Sequence, residues 1–182
     1  MLSFFSMFDA DNDSFRVRQL VATDDTSVTP APPIDDYDIL SDRPDDVIRT
    51  WIDAQLALTS CLVVLIGQHT ASQRWVTYAI GRARILQKPM IGVAIDKLAD
   101  ADGNQGVAGS NPFANSGMPA RALSALEIYD PPFATSVFAR AHIRYGLPEW
   151  VELAVREDRW RGDSRVGRHV RRSEHGRHED AS

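Results

Sequence analysis

Cysteine is almost absent. Cys61 is the one thiol in 182 residues, so no internal disulfide can form, and its place inside an apolar run predicts a buried, inert side chain. A reducing, cytoplasmic setting is the expectation that follows. Long hydrophobic stretches are lacking too: no run approaches the roughly 18 uncharged apolar residues of a membrane span. No basic segment precedes the first apolar residues, so a signal peptide is not expected either. The net charge of −5 argues against general nucleic-acid binding. Neither the glycine fingerprint of a Rossmann dinucleotide site nor a P-loop occurs. No His, Cys and carboxylate group has metal-ligand spacing, so neither a metal nor a resident cofactor is expected.

What is present supports a folded body with a different tail. Apolar residues make up 43% of the chain, enough for a core. Residues 1–158 carry 13 basic against 21 acidic side chains, whereas residues 159–182 carry seven arginines against four acids, with His169, His175 and His178 interleaved. The tail is too poor in apolar residues to bury a core. It is expected to be disordered, a solvated segment or a contact arm for an acidic partner or a nucleic acid. The body is expected to be one domain over residues 1–158.

Within that body, three apolar runs read as strands: Leu2–Met7, Cys61–Ile66 and Pro89–Ile95, with a brief fourth at Leu126–Tyr129. Cys61–Ile66 is apolar throughout, as a strand covered on both faces should be. Between the runs lie helical patterns. Asp9, Asp11 and Asp13 supply turn and cap chemistry for a short helix. Ser41 or Asp42 can cap the next, with Pro44 at its first position, and Ile48, Trp51, Ile52 and Leu56 then recur at helical spacing. A helix over Gln73–Gln87 follows, and two more are predicted over residues 135–145 and 148–156. Asp24–Asp38 reads as a long loop around one weak strand. Ala99–Ala120, with four glycines, is long enough to be functional. Alternating strands and helices predict a parallel sheet with helices on both faces, and a ligand crevice at the carboxyl ends of its strands. His69, after Gly67, is a candidate base or a plain loop residue. A receiver-type phosphorylation domain is disfavoured, because Gly67 ends the strand that would carry the phosphoacceptor aspartate.

FFSMFDADNDSFRVRQL, WIDAQLALTSCLVVLIGQHTASQRWVTYAI, GSNPF and LPEWVELA together resemble the TIR-like domain of bacterial Thoeris antiphage-defence proteins. The middle block is the specific part, and the resemblance spans residues 1 to about 155. It implies a flavodoxin-like α/β fold with a central parallel sheet. It also implies an NAD+ nucleosidase or ADP-ribosyl cyclase activity, with NAD as substrate. Cleavage of the nicotinamide–ribose bond would yield a cyclic ADP-ribose-type signal for a separate effector, after a phage-derived trigger and with self-association. Residue by residue, it implies that Ser6, Met7 and Phe8 line the substrate crevice, that Asp9 bonds ribose there or caps the next helix, and that Trp75 and Tyr78 flank ribose and nicotinamide or pack in the core. Asp11 could bond ribose or cap the helix, and Arg16 and Arg18 could meet the pyrophosphate or solvent.

One position departs from the pattern. The family's R-W-V-x-Y-x-I block carries its catalytic glutamate between Tyr and Ile, and here that place is Ala79. A carboxylate there stabilises oxocarbenium character on the ribose, which a methyl group cannot do, and losing such a group typically costs about 10²–10³ in rate. The chain is thus expected to be inactive as it stands. It reads either as an enzyme whose glutamate has been replaced or as a non-catalytic adaptor or nucleotide-binding pseudoenzyme.

Overall fold

The computed structural model describes residues 2–21, 28–30 and 34–173. Leu2–Met7 forms β1 and Cys61–Ile66 forms β3, each with the bounds predicted from its apolar run. Between them lie helix α1 (Ala10–Val21), β2 (Val28–Pro30), a 3-10 turn (Ile34–Asp38), α2 (Ile39–Asp42) and α3 (Asp45–Leu58). After β3 come a 3-10 turn (Thr70–Ser72), α4 (Arg74–Ile85), β4 (Met90–Ala94), α5 (Ala120–Ser124), β5 (Ile128–Tyr129) and α6 (Ser136–Ser173).

The strands pair in the order β2-β1-β3-β4-β5, every pair parallel, with Phe4 opposite Cys61, Val64 opposite Gly92 and Gly92 opposite Ile128. The chain first steps from β1 outward to β2, then returns past β1 to β3 and continues in that direction. Right-handed crossovers on a path that reverses put α1 on one face and α3 and α4 on the other. The packing agrees: α1 contacts α6, which lies on β3 and β4, while α3 contacts α4 and both lie on β1. This is the α/β flavodoxin-like arrangement, and β3 at its centre is buried along all six residues. The helices present apolar stripes to it, Ile48, Ile52 and Leu56 from α3, and Val76, Ala79, Ile80 and Ala83 from α4.

Some elements differ from their prediction. Helix α1 begins at Ala10, before Asp11 and Asp13, which therefore sit in its first turn and favour its positive end. Pro44 immediately precedes α3, which has no side-chain cap. The two helices expected at 135–145 and 148–156 are one, because α6 continues through Pro148. A helix-interior proline costs about 3 kcal/mol. Against this stands a single buried stripe running across it, Ala139, Ile143, Leu147, Trp150, Val151 and Val155, whose larger members each contribute roughly 1.5–3 kcal/mol. Gly146 makes the passage possible: a Cβ there would lie 2.4 Å from the Trp150 ring, which stacks on Tyr129 at 4.2 Å and 7°. The backbone of α6 runs on past residue 159 to Ser173. Residues 174–182 of the tail lie outside the described residues.

Part of the predicted loop Asp24–Asp38 also falls outside them, but its weak strand is β2 and its end is the 3-10 turn. The long connection before α5 is docked on the body. Its Gly109 lies against the Gly67 carbonyl, where a Cβ would come within 1.9 Å of the oxygen. Asn111 Oδ1 accepts the Phe113 amide at 2.9 Å, and the Phe113 ring is wholly buried beside Gly92. The GSNPF run is a fastening.

Candidate functional site

In this strand order the direction of winding reverses between β1 and β3, and a crevice opens at the carboxyl ends of strands at such a point. A cavity of about 480 Å³ lies there. Phe8, Ala10 and Asp11, following β1, form one wall; Leu40 and Ser41 of α2 form a second; Ser72, Gln73, Arg74, Trp75 and Val76, leading into α4, form the third.

Local chemistry explains each wall. Tyr37 anchors the second. Its ring, almost fully buried, packs 4.8 Å from Phe8 and 5.4 Å from Trp51. Its hydroxyl donates to the Ser6 carbonyl and shares a 2.9 Å hydrogen bond with Ser6 Oγ. Burial pushes the phenol well above its ordinary range, the Ser6 bonds opposing, so it stays a donor. This clasp ties the 34–38 turn to the end of β1 and carries Leu40 and Ser41 to the crevice. The third wall is shaped by Thr70, whose buried hydroxyl accepts the Gly67 amide at 2.9 Å and donates to the Leu65 carbonyl. The chain thus turns sharply after β3 and enters α4 at the crevice mouth. No side chain caps that helix end, so its electropositive terminus faces the site.

The residues expected from sequence divide into two groups. Phe8, Asp11 and Trp75 line the crevice. Ser6, Met7, Asp9, Tyr78 and Ala79 do not. Ser6 is bound to Tyr37, and Met7 is a fully buried core residue. Asp9 is 1% exposed; its Oδ2 accepts from Asn12 at 2.7 Å while its Oδ1 is buried without a hydrogen-bond partner. Tyr78 points to α3, where its hydroxyl meets Asp53 Oδ1 at 3.1 Å beside the two Arg82–Asp53 bonds. Desolvation first, then Asp53, raises its pKa. Ala79 is wholly buried beneath the crevice, in the stripe that α4 presses on the sheet. Helical side chains lean toward the amino end, so a longer one at 79 would reach back toward Trp75 and Val76.

Arg16 and Arg18, the two arginines expected at the pyrophosphate, are committed elsewhere. Arg16 bonds Asp13 at 3.0 Å, the Leu98 carbonyl at 2.9 Å and Asp100 at 3.4 Å, holding the start of the long connection. Arg18 pairs with Asp35 at 2.7 Å. His69 lies in a separate polar cleft of about 220 Å³ with Asp13, Arg16, Gly67 and Asp96. Among the described residues no group of three or more His, Cys, Asp or Glu is placed to hold a metal ion, and no helix is long and apolar enough to cross a membrane. Sequence reasoning missed Ala10, Val76, Leu40, Ser41, Ser72, Gln73 and Arg74. The polar run between Gly67 and Trp75 was a signal for the last three; nothing local marks Leu40 and Ser41, which reach the site only through the Tyr37 clasp.

Comparison with known proteins agrees with this architecture. No curated protein matches the chain. The family model described as Thoeris protein ThsB, TIR-like domain, matches residues 4–100, which span β1 through β4 and every wall of the crevice. The chain therefore belongs to the Thoeris ThsB TIR-like family, and its role is in antiphage defence.

Proposed function

We propose that the crevice between β1, α2 and the start of α4 binds NAD, and that the fold is that of an enzyme cleaving its nicotinamide–ribose bond. The observation that carries this reading is the stacking order on α4. Trp75 stands on the crevice wall and position 79 lies one helical turn behind it, where a carboxylate would reach back under a bound ribose. As the glycosidic bond breaks, its electron pair leaves with nicotinamide and positive charge builds on the ribose. A fixed anion would stabilise that charge. Ala79 supplies none, so the chain as it stands binds the dinucleotide without turning it over. In the active form, attack on the ribose by water or by the adenine of the same molecule gives linear or cyclic ADP-ribose, the signal for a separate effector. Self-association, a phage-derived trigger and a cytoplasmic setting complete this reading.

A second reading, a non-catalytic adaptor or nucleotide-binding pseudoenzyme, is favoured by one observation: Ala79 is wholly buried in the apolar stripe of α4, where an alanine packs without cost. One experiment separates them. Ala79→Glu should melt at a lower temperature, because a carboxylate enters a buried site, yet should release nicotinamide from NAD when assayed at high protein concentration with the trigger present. The unaltered chain should release at least about 10²-fold less. A folded Ala79→Glu protein that leaves NAD intact under those conditions gives the adaptor reading its place.

A further inference from the structure

We propose that Arg74 is the residue that grips the pyrophosphate of the bound dinucleotide, exchanging Asp45 for it. The inference rests on the nucleotide reading of the crevice and adds a specific contact to it.

A dinucleotide brings a doubly charged pyrophosphate, and a crevice that accepts it needs a cation with parallel donors. Among the residues lining this cavity Arg74 is the one with a positive charge, and Asp11 carries the opposite sign. Arg16, paired with Asp13, is largely buried, and Arg18 and Arg82, paired with Asp35 and Asp53, do not line the cavity. Arg74 is instead held at the mouth by a partner that resembles a phosphate. Its Nη1 and Nη2 meet the two carboxylate oxygens of Asp45 at 3.1 and 2.5 Å, the forked geometry that a phosphate reproduces. Both side chains are largely exposed, at 65% and 47%, so the pair is weak and readily exchanged. The guanidinium also lies 4.4 Å from the centre of the Trp75 ring, a stacking contact that orients it whichever anion it holds.

The test compares NAD affinity, by calorimetry, for the unaltered chain and the variants Arg74→Gln, Arg74→Lys and Asp45→Asn. Because the chain carries Ala79, NAD survives the measurement. Arg74→Gln should weaken binding at least about tenfold, since hydrogen bonds to charged groups are lost, and Arg74→Lys should recover part of that loss. Asp45→Asn should bind as tightly as the unaltered chain or more tightly, because it removes the competing anion. The two neutralisations break the same ion pair, so a merely structural role would weaken binding alike in both, and that result overturns the proposal. Unchanged affinity in Arg74→Gln also overturns it while leaving the nucleotide reading in place. Absence of NAD binding by the unaltered chain would instead remove that reading, and this inference with it.

Discussion

Asp13 shows how much of this molecule turns on single side chains. Its carboxyl is buried at the start of α1, close enough to Gly67 that a Cβ there would lie 2.0 Å from Oδ2. Desolvation raises its pKa above the ordinary 3.8, and the hydrogen bond and charge of Arg16 oppose that shift. The folded state therefore takes up this proton at a higher pH than the unfolded chain. As the pH falls through the folded pKa toward 3.8, the contribution of Asp13 to stability rises rather than falls. Asp13→Asn has no proton to gain. Urea unfolding of both proteins between neutral pH and 3.8 should show the stability difference moving in favour of the unaltered chain as the solution is acidified. A difference moving the other way would mean that the Arg16 pair outweighs burial.

At the scale of elements, the long connection after β4 carries the most unexpected result. Its length and four glycines are those of a functional or mobile loop, yet it is pinned at both ends. Arg16 holds the Leu98–Asn104 turn from α1, and the buried Phe113 ring holds the GSNPF end. Gly109 is the point of closest approach, backbone against backbone, so no side-chain rearrangement can relieve a methyl there. Gly109→Ala should cost at least about 1–3 kcal/mol, as overpacked sites do, read as a lower urea midpoint with an unchanged slope. Gly103→Ala is its control in space, since nothing lies within 4 Å of a Cβ there, although its φ of +85° adds backbone strain of its own. Gly109 is not at positive φ, so an unchanged midpoint in Gly109→Ala would mean that the connection shifts off Gly67 and that the close approach carries no cost.

For the whole molecule, the sheet centre reports cooperativity. Cys61 opens β3, fully buried, with neighbours β1 and β4 paired on either side. No local fraying exposes it, so its labelling by a thiol reagent should require global opening. The labelling rate should be slow under native conditions and rise with urea at the slope of equilibrium unfolding. Rapid labelling without denaturant would place a local opening beside β3 that this packing does not allow.

The β1 and β3 bounds, the parallel sheet and the place of the crevice were legible in the chain because they follow from local properties: an apolar run covered on both faces, a polar turn after it, and an alternation of strand and helix that makes the strands parallel. The match of the Thoeris block was legible as well, since it lies in contiguous residues. What only the tertiary structure decided is depth and partnership. Helical spacing puts Trp75, Tyr78 and Ala79 close together on α4, yet the crossing of that helix over the sheet exposes the first to the crevice, turns the second to Asp53 and buries the third. The wall at Leu40 and Ser41 depends on a hydroxyl at Tyr37 meeting Ser6, 31 residues away. Pro148 reads as a helix boundary until the burial of the stripe around it is known. Spacing along the chain sets which residues share a face; how closely that face approaches its neighbours is settled by packing, which joins residues far apart in sequence.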